Sequence, residues 1–164
     1  MILTAFLAFI GSLTSGLAFN IKGRKLVFAG FSGMFGYVAF SVLFQLTGYL
    51  VLSIFLGAVV VGLYSETTAR LLKSPSTVFS IPGILPLVPG IAAYEMMQHL
   101  MNNQLIFALG KMIDVASGAG AIAFGILLVT AVFRFISKVK KERTEHTGVG
   151  KARTKRSRVK KSIN

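Results

Sequence analysis

Long apolar runs alternate with short polar segments through most of the chain. A membrane-crossing helix needs about 20 predominantly apolar residues. Five runs fit that length, at residues 2–20, 26–46, 48–66, 78–101 and 115–136. The first run lacks the basic start and the cleavage site of a signal peptide, so we count it as a retained helix. The pattern predicts an all-α integral membrane protein with five transmembrane helices.

The fourth run differs from the others because proline and glycine interrupt it. Pro82-Gly83, Pro86 and Pro89-Gly90 lie within nine residues. Proline removes a backbone donor and clashes with the carbonyl one turn back. In hydrocarbon, unpaired backbone groups persist only inside a protein bundle or beside a water-filled cavity. We therefore predict a broken fourth span, which is typical of a solute or ion site; a kinked structural helix is the competing interpretation, since prolines are common in membrane helices.

The chemistry of such a break favours a carboxylate. A half-helix beginning near Gly90 would present unpaired amide donors. Its dipole would stabilise a carboxylate by about 0.3–1 kcal/mol. Carbonyls freed ahead of Pro86 and Pro89 would accept hydrogen bonds from an ammonium or a hydroxyl group. Such a break could therefore hold a carboxylate at the amides and an ammonium or hydroxyl group at the carbonyls.

Two pairs of ionisable residues lie in or beside the predicted spans. Glu66 and Arg70 are four residues apart and share a helix face, where they could gate substrate or relay a proton; an interfacial salt bridge that reaches water is the alternative. Glu95 and His99 are also four apart. Ionisable groups inside a span are costly and usually functional, so this pair could carry a proton that drives transport. The alternative is that both side chains face water near the outer surface.

The positive charge is concentrated at the carboxy-terminal end of the chain. Of 18 lysines and arginines, eleven lie from Lys138 to Lys161, and the net charge of the chain is +13. The positive-inside rule places this end and the loop at Lys22–Lys25 in the cytoplasm, and the amino terminus outside. A re-entrant hairpin at residues 78–101 would export the basic end, so the charges predict that the broken segment crosses. The predicted division is a membrane domain at residues 1–136 and a basic tail at residues 137–164.

The tail has too few apolar residues to fold alone, so we predict that it is disordered and attracts anionic lipid. It contains no aromatic residue to stack on bases, which argues against nucleic acid as a partner. The chain has no cysteine and two histidines, and no metal-ligand spacing, so no metal or cofactor is predicted. It also has no Walker-type phosphate loop and no nucleophile–base–acid set, and an enzyme is not expected.

Three stretches of the sequence together resemble a known family. They are Phe19-Asn20 with Arg24 and the glycine-rich helix after it, Ala69-Arg70 with Lys73 and Pro75, and Phe79 with PGILPLVPG and Tyr94. They resemble the bacterial threonine/serine exporters, in particular the five-helix carboxy-terminal half, which also occurs as a separate small subunit. The resemblance covers roughly residues 15 to 136. It implies a larger membrane subunit as partner, and export of threonine and serine or of a small dicarboxylate such as succinate.

The predicted function is therefore the small subunit of a secondary-active exporter of threonine/serine-type amino acids in the bacterial cytoplasmic membrane. A dicarboxylate exporter is one alternative, and a non-transporting membrane scaffold or assembly protein is another. The glycine-rich helix faces leave a higher oligomer open. The predicted substrate-binding residues are Pro82, Gly83, Pro86, Pro89, Gly90, Tyr94 and Arg70. The candidates for proton coupling or gating are Glu66, Glu95 and His99.

Overall fold

The structure, a computed structural model, describes the backbone of residues 2–161 and the side chains of residues 2–138. Every regular element in this part of the chain is helical, which confirms the predicted all-α class. The helices are α1 (Ile2–Ala18), α2 (Arg24–Thr47), α3 (Leu50–Leu71), α4 (Thr77–Ile84), α5 (Gly90–Met101) and α6 (Leu105–Lys161), and a 3-10 turn (Leu85–Leu87) lies between α4 and α5.

The chain forms two compact units, Met1–Thr130 and Ala131–Asn164. The first unit contains α1 to α5 and the beginning of α6, and the second contains the remainder of α6. The composition predicts disorder from residue 137, whereas the structure continues α6 to Lys161. Lysine and arginine are good helix formers, so a scarcity of apolar residues removes packing partners without removing helix propensity. The last three residues lie outside the described part of the chain.

Three helical segments of the described chain are long and apolar enough to cross a membrane: α2, α3 and residues Leu105–Lys138 of α6. A fourth span results if α4 with the 3-10 turn and α5 are counted together, although their axes are bent by 53°. α1 is a shorter apolar helix of 17 residues, which is at the short end of the range of about 17–25 residues for a span. The count of five spans stays a prediction.

The predicted fourth and fifth spans leave residues 102–114 between them, but most of these residues are helical. Only residues 102–104 connect α5 to α6, and Asn103 in this turn has a φ of 57°. α6 begins at Leu105, so Lys111 and Asp114 lie on a helix. Lys111 forms an ion pair with Glu95 from this position.

α2 and α3 pack antiparallel along a seam of small residues. Ala29 and Ala69 share one buried cluster, and the Oγ atoms of Ser32 and Ser65 lie 3.3 Å apart. Further along, the carbonyl oxygen of Gly36 lies 3.1 Å from the position that a Cβ on Gly57 would take. The residue numbers of these contacts rise along α2 and fall along α3, so the two helices are antiparallel. Their backbones approach most closely where both residues are glycine.

The beginning of α6 packs parallel to α3. Gly118 faces Ile54, Gly125 faces Ala58 and Gly62 faces Val129, with contacts of 3.4, 3.0 and 3.1 Å to the positions that glycine Cβ atoms would take. Residue numbers therefore rise together along both helices. The chain between the end of α3 and the beginning of α6 thus returns to the end of the bundle at which α3 begins.

Replacing Gly36 with leucine is expected to lower the unfolding temperature of the purified protein. A Cβ at this position would collide with a methyl group of Val61 on α3, and overpacking of a well-packed interior costs about 1–3 kcal/mol. The matched control is Gly120→Leu, because nothing lies within 4 Å of a Cβ at Gly120. Thermal unfolding in detergent measures both variants, and equal unfolding temperatures would contradict the packing described.

Candidate functional site

The three prolines at the predicted break each pack against a glycine of a neighbouring helix. The pairs are Pro82 with Gly16 of α1, Pro86 with Gly33 of α2 and Pro89 with Gly118 of α6, at 3.9, 3.3 and 3.1 Å from the position that a glycine Cβ would take. Glycine has no Cβ, so each ring lies close to a backbone. The proline-rich segment is therefore embedded among α1, α2 and the beginning of α6.

The α-helix ends between the first and second of these prolines. α4 ends at Ile84, the 3-10 turn follows, and Val88 is extended, with φ −61° and ψ 130°, before α5 begins at Gly90. Pro82-Gly83 does not end a helix, since Pro82 lies inside α4. Pro82 costs α4 one hydrogen bond, to the carbonyl of Val78, and its ring is buried.

The interruption changes which backbone groups have partners. Pro86 has no N–H, so the carbonyl of Pro82 lacks the donor that a continuous helix would provide. At the start of α5, the amide of Gly90 donates to the carbonyl of Val88 at 2.7 Å. The amides of Ile91 and Ala92 follow it, and first-turn amides have no acceptor within their own helix. The Gly90 amide already has an acceptor. The amide donors available at the start of α5 are therefore those of Ile91 and Ala92.

The predicted binding residues divide between the interior and the surface. Pro82 and Gly83 are buried in the bundle. No residue of α5 is buried, and Tyr94 is 67% exposed. Gly90 is also exposed, and nothing lies within 4 Å of a Cβ at this position. A ligand held at the start of α5 would therefore lie on an open face of this chain.

Arg70 lies far from the break. The side chain of Leu87, at the end of the 3-10 turn, lies 3.0 Å from the position of a Cβ on Gly57. At about 1.5 Å per residue, Gly57 and Arg70 are separated by about 20 Å along α3. Arg70 is exposed and Glu66 is half-buried on the last turns of α3. The structure therefore places Arg70 beside the beginning of α4 and not beside Gly90 or Tyr94.

Glu95 and His99 contact the beginning of α6 rather than pairing with one another. Glu95 Oε2 lies 2.7 Å from Lys111 Nζ. His99 Nδ1 lies 2.7 Å from Gln104 Oε1, and its ring stacks on Phe107 with centroids 5.6 Å apart. These contacts fasten α5 to the first turns of α6, so a proton-carrying Glu95–His99 pair would require both side chains to leave their present partners.

Three buried serines, which the sequence did not single out as site residues, lie near α4 and the 3-10 turn. Ser12, Ser32 and Ser65 are at most 1% exposed. Ser32 bonds to Ser65 and lies against Gly83, while Ser12 packs on Gly33 beside Pro86. The signal that could have found Ser12 is its position one helical turn before Gly16, since two small residues with this spacing mark a close helix contact.

Two further grooves on the described part of the chain are mainly apolar. A groove of about 620 Å³ between α3 and α6 is lined mainly by apolar side chains, among them Leu52, Phe55 and Phe124. A second groove of about 190 Å³ lies between α1 and α2. Among the described residues, no three His, Asp or Glu side chains converge as metal ligands would.

One protein-family model, described as Threonine/Serine exporter, ThrE, matches residues 4–132 of the chain. The match extends from α1 into α6 and includes the whole proline-rich segment. No curated protein and no solved structure matches the chain.

A chain carrying Glu95→Cys and Lys111→Cys is expected to cross-link within itself when it is treated with a short bifunctional thiol reagent. The natural chain has no cysteine, so only the two introduced thiols react, and they replace side chains that meet at 2.7 Å. The control is Glu66→Cys with Lys111→Cys. Glu66 lies near the end of α3, whereas the beginning of α6 lies beside the beginning of α3. The products are identified by mass spectrometry of peptides; equal yields from the two pairs would show that α5 does not fold back on α6.

Proposed function

We propose that this chain, which belongs to the threonine/serine exporter family, is the small subunit of a secondary-active exporter of threonine- and serine-type amino acids. Family membership and the long apolar helices identify a multi-pass membrane protein of the exporter type. The observation that carries the finer proposal is the helix interruption at Leu85–Leu87, which glycine contacts hold inside the bundle. The proposed location is the bacterial cytoplasmic membrane.

The start of α5 is the proposed carboxylate site. The amides of Ile91 and Ala92 are first-turn donors, and the positive end of the helix dipole coincides with them. A carboxylate bound there would gain hydrogen bonds and a dipole term of about 0.3–1 kcal/mol. Tyr94 lies one turn further along α5, so its hydroxyl group is available to the same ligand.

A larger membrane subunit is the proposed partner, and the exposure of α5 supports it. A carboxylate beside Gly90 would face acyl chains if this chain worked alone, and charged groups in hydrocarbon are costly. A second protein against α5 would enclose the ligand and exclude lipid. Tyr94 and Ile91, which are 67% and 78% exposed, would then lie at the boundary between the two subunits.

The direction of α6 supports a segment that crosses the membrane. A re-entrant hairpin would return the chain to the end of the bundle where α3 ends, and α6 would then run antiparallel to α3. The two helices are parallel, as the Gly118–Ile54 and Gly62–Val129 contacts indicate. With Lys22–Lys25 in the cytoplasm, the proposed topology has the amino terminus outside and the basic end inside.

The ionisable residues take separate places along the proposed path. Arg70, beside the beginning of α4, would receive the substrate carboxylate at the cytoplasmic entrance, since guanidinium matches carboxylate geometry. Glu66, one turn before it, would modulate that entrance. At the opposite end, Glu95 and His99 hold α5 to α6, and release of the Glu95–Lys111 pair would open the site outward.

Single-cysteine labelling tests the topology. Asn102→Cys is expected to react with a membrane-impermeant maleimide in intact cells, and Lys22→Cys only after permeabilisation. Both residues are exposed, and the natural chain has no cysteine, so the unmodified protein is the blank. Labelling of both variants from the same side would rule out a crossing segment at residues 78–101.

Transport in vesicles tests the function and the break together. The chain reconstituted with its larger subunit is expected to accumulate labelled threonine and serine. Pro86→Ala combined with Pro89→Ala restores two backbone donors and should extend the helix, lowering the initial rate by about tenfold or more. Pro75→Ala is the control, because Pro75 lies in the connection before α4.

Three outcomes would contradict parts of the proposal. An unchanged rate in the double variant would remove the interrupted helix from the mechanism. Accumulation of succinate without threonine or serine would favour a dicarboxylate exporter. Failure of the natural pair to move any of the three solutes would favour the membrane scaffold.

A further inference from the structure

Positive charge gathers at one end of the bundle. Five of the six lysines and arginines in residues 1–130 lie in or beside the α1–α2 and α3–α4 connections, and all five are exposed: Lys22, Arg24, Lys25, Arg70 and Lys73. The sixth, Lys111, pairs with Glu95 at the opposite end of the bundle. Glu66, which is half-buried, is the single acidic residue before Glu95. This end therefore carries a largely uncompensated positive charge.

The packing of α2 on α3 brings the two connections to the same level. Ala29 and Ala69 share a buried cluster. Lys25 lies one helical turn before Ala29, and Lys73 lies the same number of residues after Ala69. Because the two helices are antiparallel, both lysines lie beyond this contact at the same end of the bundle. Like charges at one end repel, and an anion bound beside them offsets that repulsion.

Lys73 also occupies a backbone position that does not suit it. Four helices of the described chain are followed by a residue with left-handed backbone: Asn20 (φ 58°), Gly48 (φ 71°), Lys73 (φ 47°) and Asn103 (φ 57°). Glycine and asparagine are the residues usually found there, so lysine is the exception. The amide of Ser74 donates to the carbonyl of Ala69 at 3.0 Å, which closes the turn as a glycine cap would. The fold does not require a lysine at this position, so its charge calls for a separate reason.

Exposed apolar side chains lie beside these cations. Leu71 is 81% exposed between Arg70 and Lys73, and Phe19 is 56% exposed just before Lys22. The 24 residues of α2 extend about 36 Å, and the hydrocarbon core of a bilayer is about 30 Å thick. The end of the bundle at which α2 begins thus falls at the level of the lipid headgroups. A partner that joins an anionic group to apolar chains matches both features.

We propose that Lys25 and Lys73 bind the headgroup of an anionic phospholipid, whose acyl chains cover the exposed apolar side chains beside them. A lysine ammonium binds phosphate as a point charge, and Lys22 and Arg24 add to the attraction. This surface is separate from the basic end at residues 137–164 and from the proposed carboxylate site at the start of α5. Lipid binding needs neither a larger subunit nor transport, so its failure would leave the exporter function to the vesicle experiment.

The test compares the unfolding temperature of the purified complete chain in detergent micelles that contain dioleoylphosphatidylglycerol, dioleoylphosphatidylcholine or inorganic phosphate. Phosphatidylglycerol is expected to raise the unfolding temperature by about 2–4 °C more than phosphatidylcholine does. Inorganic phosphate, which lacks acyl chains, should leave it unchanged. The rise should shrink in 1 M salt, where the Debye length falls to about 3 Å.

A matched pair of double variants locates the binding surface. Lys25→Gln with Lys73→Gln should lose at least half of the rise with phosphatidylglycerol. Lys160→Gln with Lys161→Gln removes the same charge from the basic end and should keep the rise. The proposal is overturned if the two lipids act equally on the natural chain, if inorganic phosphate reproduces the rise, or if the two double variants respond alike.

Lys73→Gly separates lipid binding from a role in the turn. Glycine suits left-handed backbone, so this variant should unfold in plain detergent at the natural temperature or above it. Its rise with phosphatidylglycerol should nevertheless be smaller than that of the natural chain. A lower unfolding temperature in plain detergent together with an undiminished rise would assign the lysine to the end of α3 and overturn its role in lipid binding.

Discussion

The structure depends on how the helical bundle surrounds the backbone groups that proline leaves without hydrogen-bond partners. Hydrocarbon offers no hydrogen bonds, so the carbonyl left by Pro86 and the amides at the start of α5 need protein or water beside them. Gly16, Gly33 and Gly118 let the proline rings lie against three different helices, so protein surrounds the interrupted backbone. The glycines and the prolines are thus two parts of one arrangement.

The two sides of the interruption are held very differently. α4 and the 3-10 turn are packed among α1, α2 and α3, with Phe79 fully buried and Leu87 3% exposed. α5 has no buried residue and is fastened to the start of α6 by Glu95–Lys111 and by the contacts of His99. The half before the interruption is thus buried in the bundle, and the half after it is exposed and held mainly by contacts with the start of α6.

Polarity inside the bundle comes from neutral groups. Ser12, Ser32 and Ser65 are buried near α4, whereas Arg70 is exposed and Glu66 half-buried at the end of α3. Hydroxyls and backbone carbonyls can bind a solute without the desolvation cost of a buried charge.

The sequence by itself determined the all-α class, the family and the positions of the prolines, because apolar length and proline chemistry are local properties. It did not determine that Glu95 pairs with Lys111, that Leu87 packs against Gly57 and so places the break far from Arg70, or that Ser12 is buried without a partner among the described residues. Helices that are apolar on all sides carry no periodicity to reveal which face is buried. Only tertiary packing decides which side chains meet.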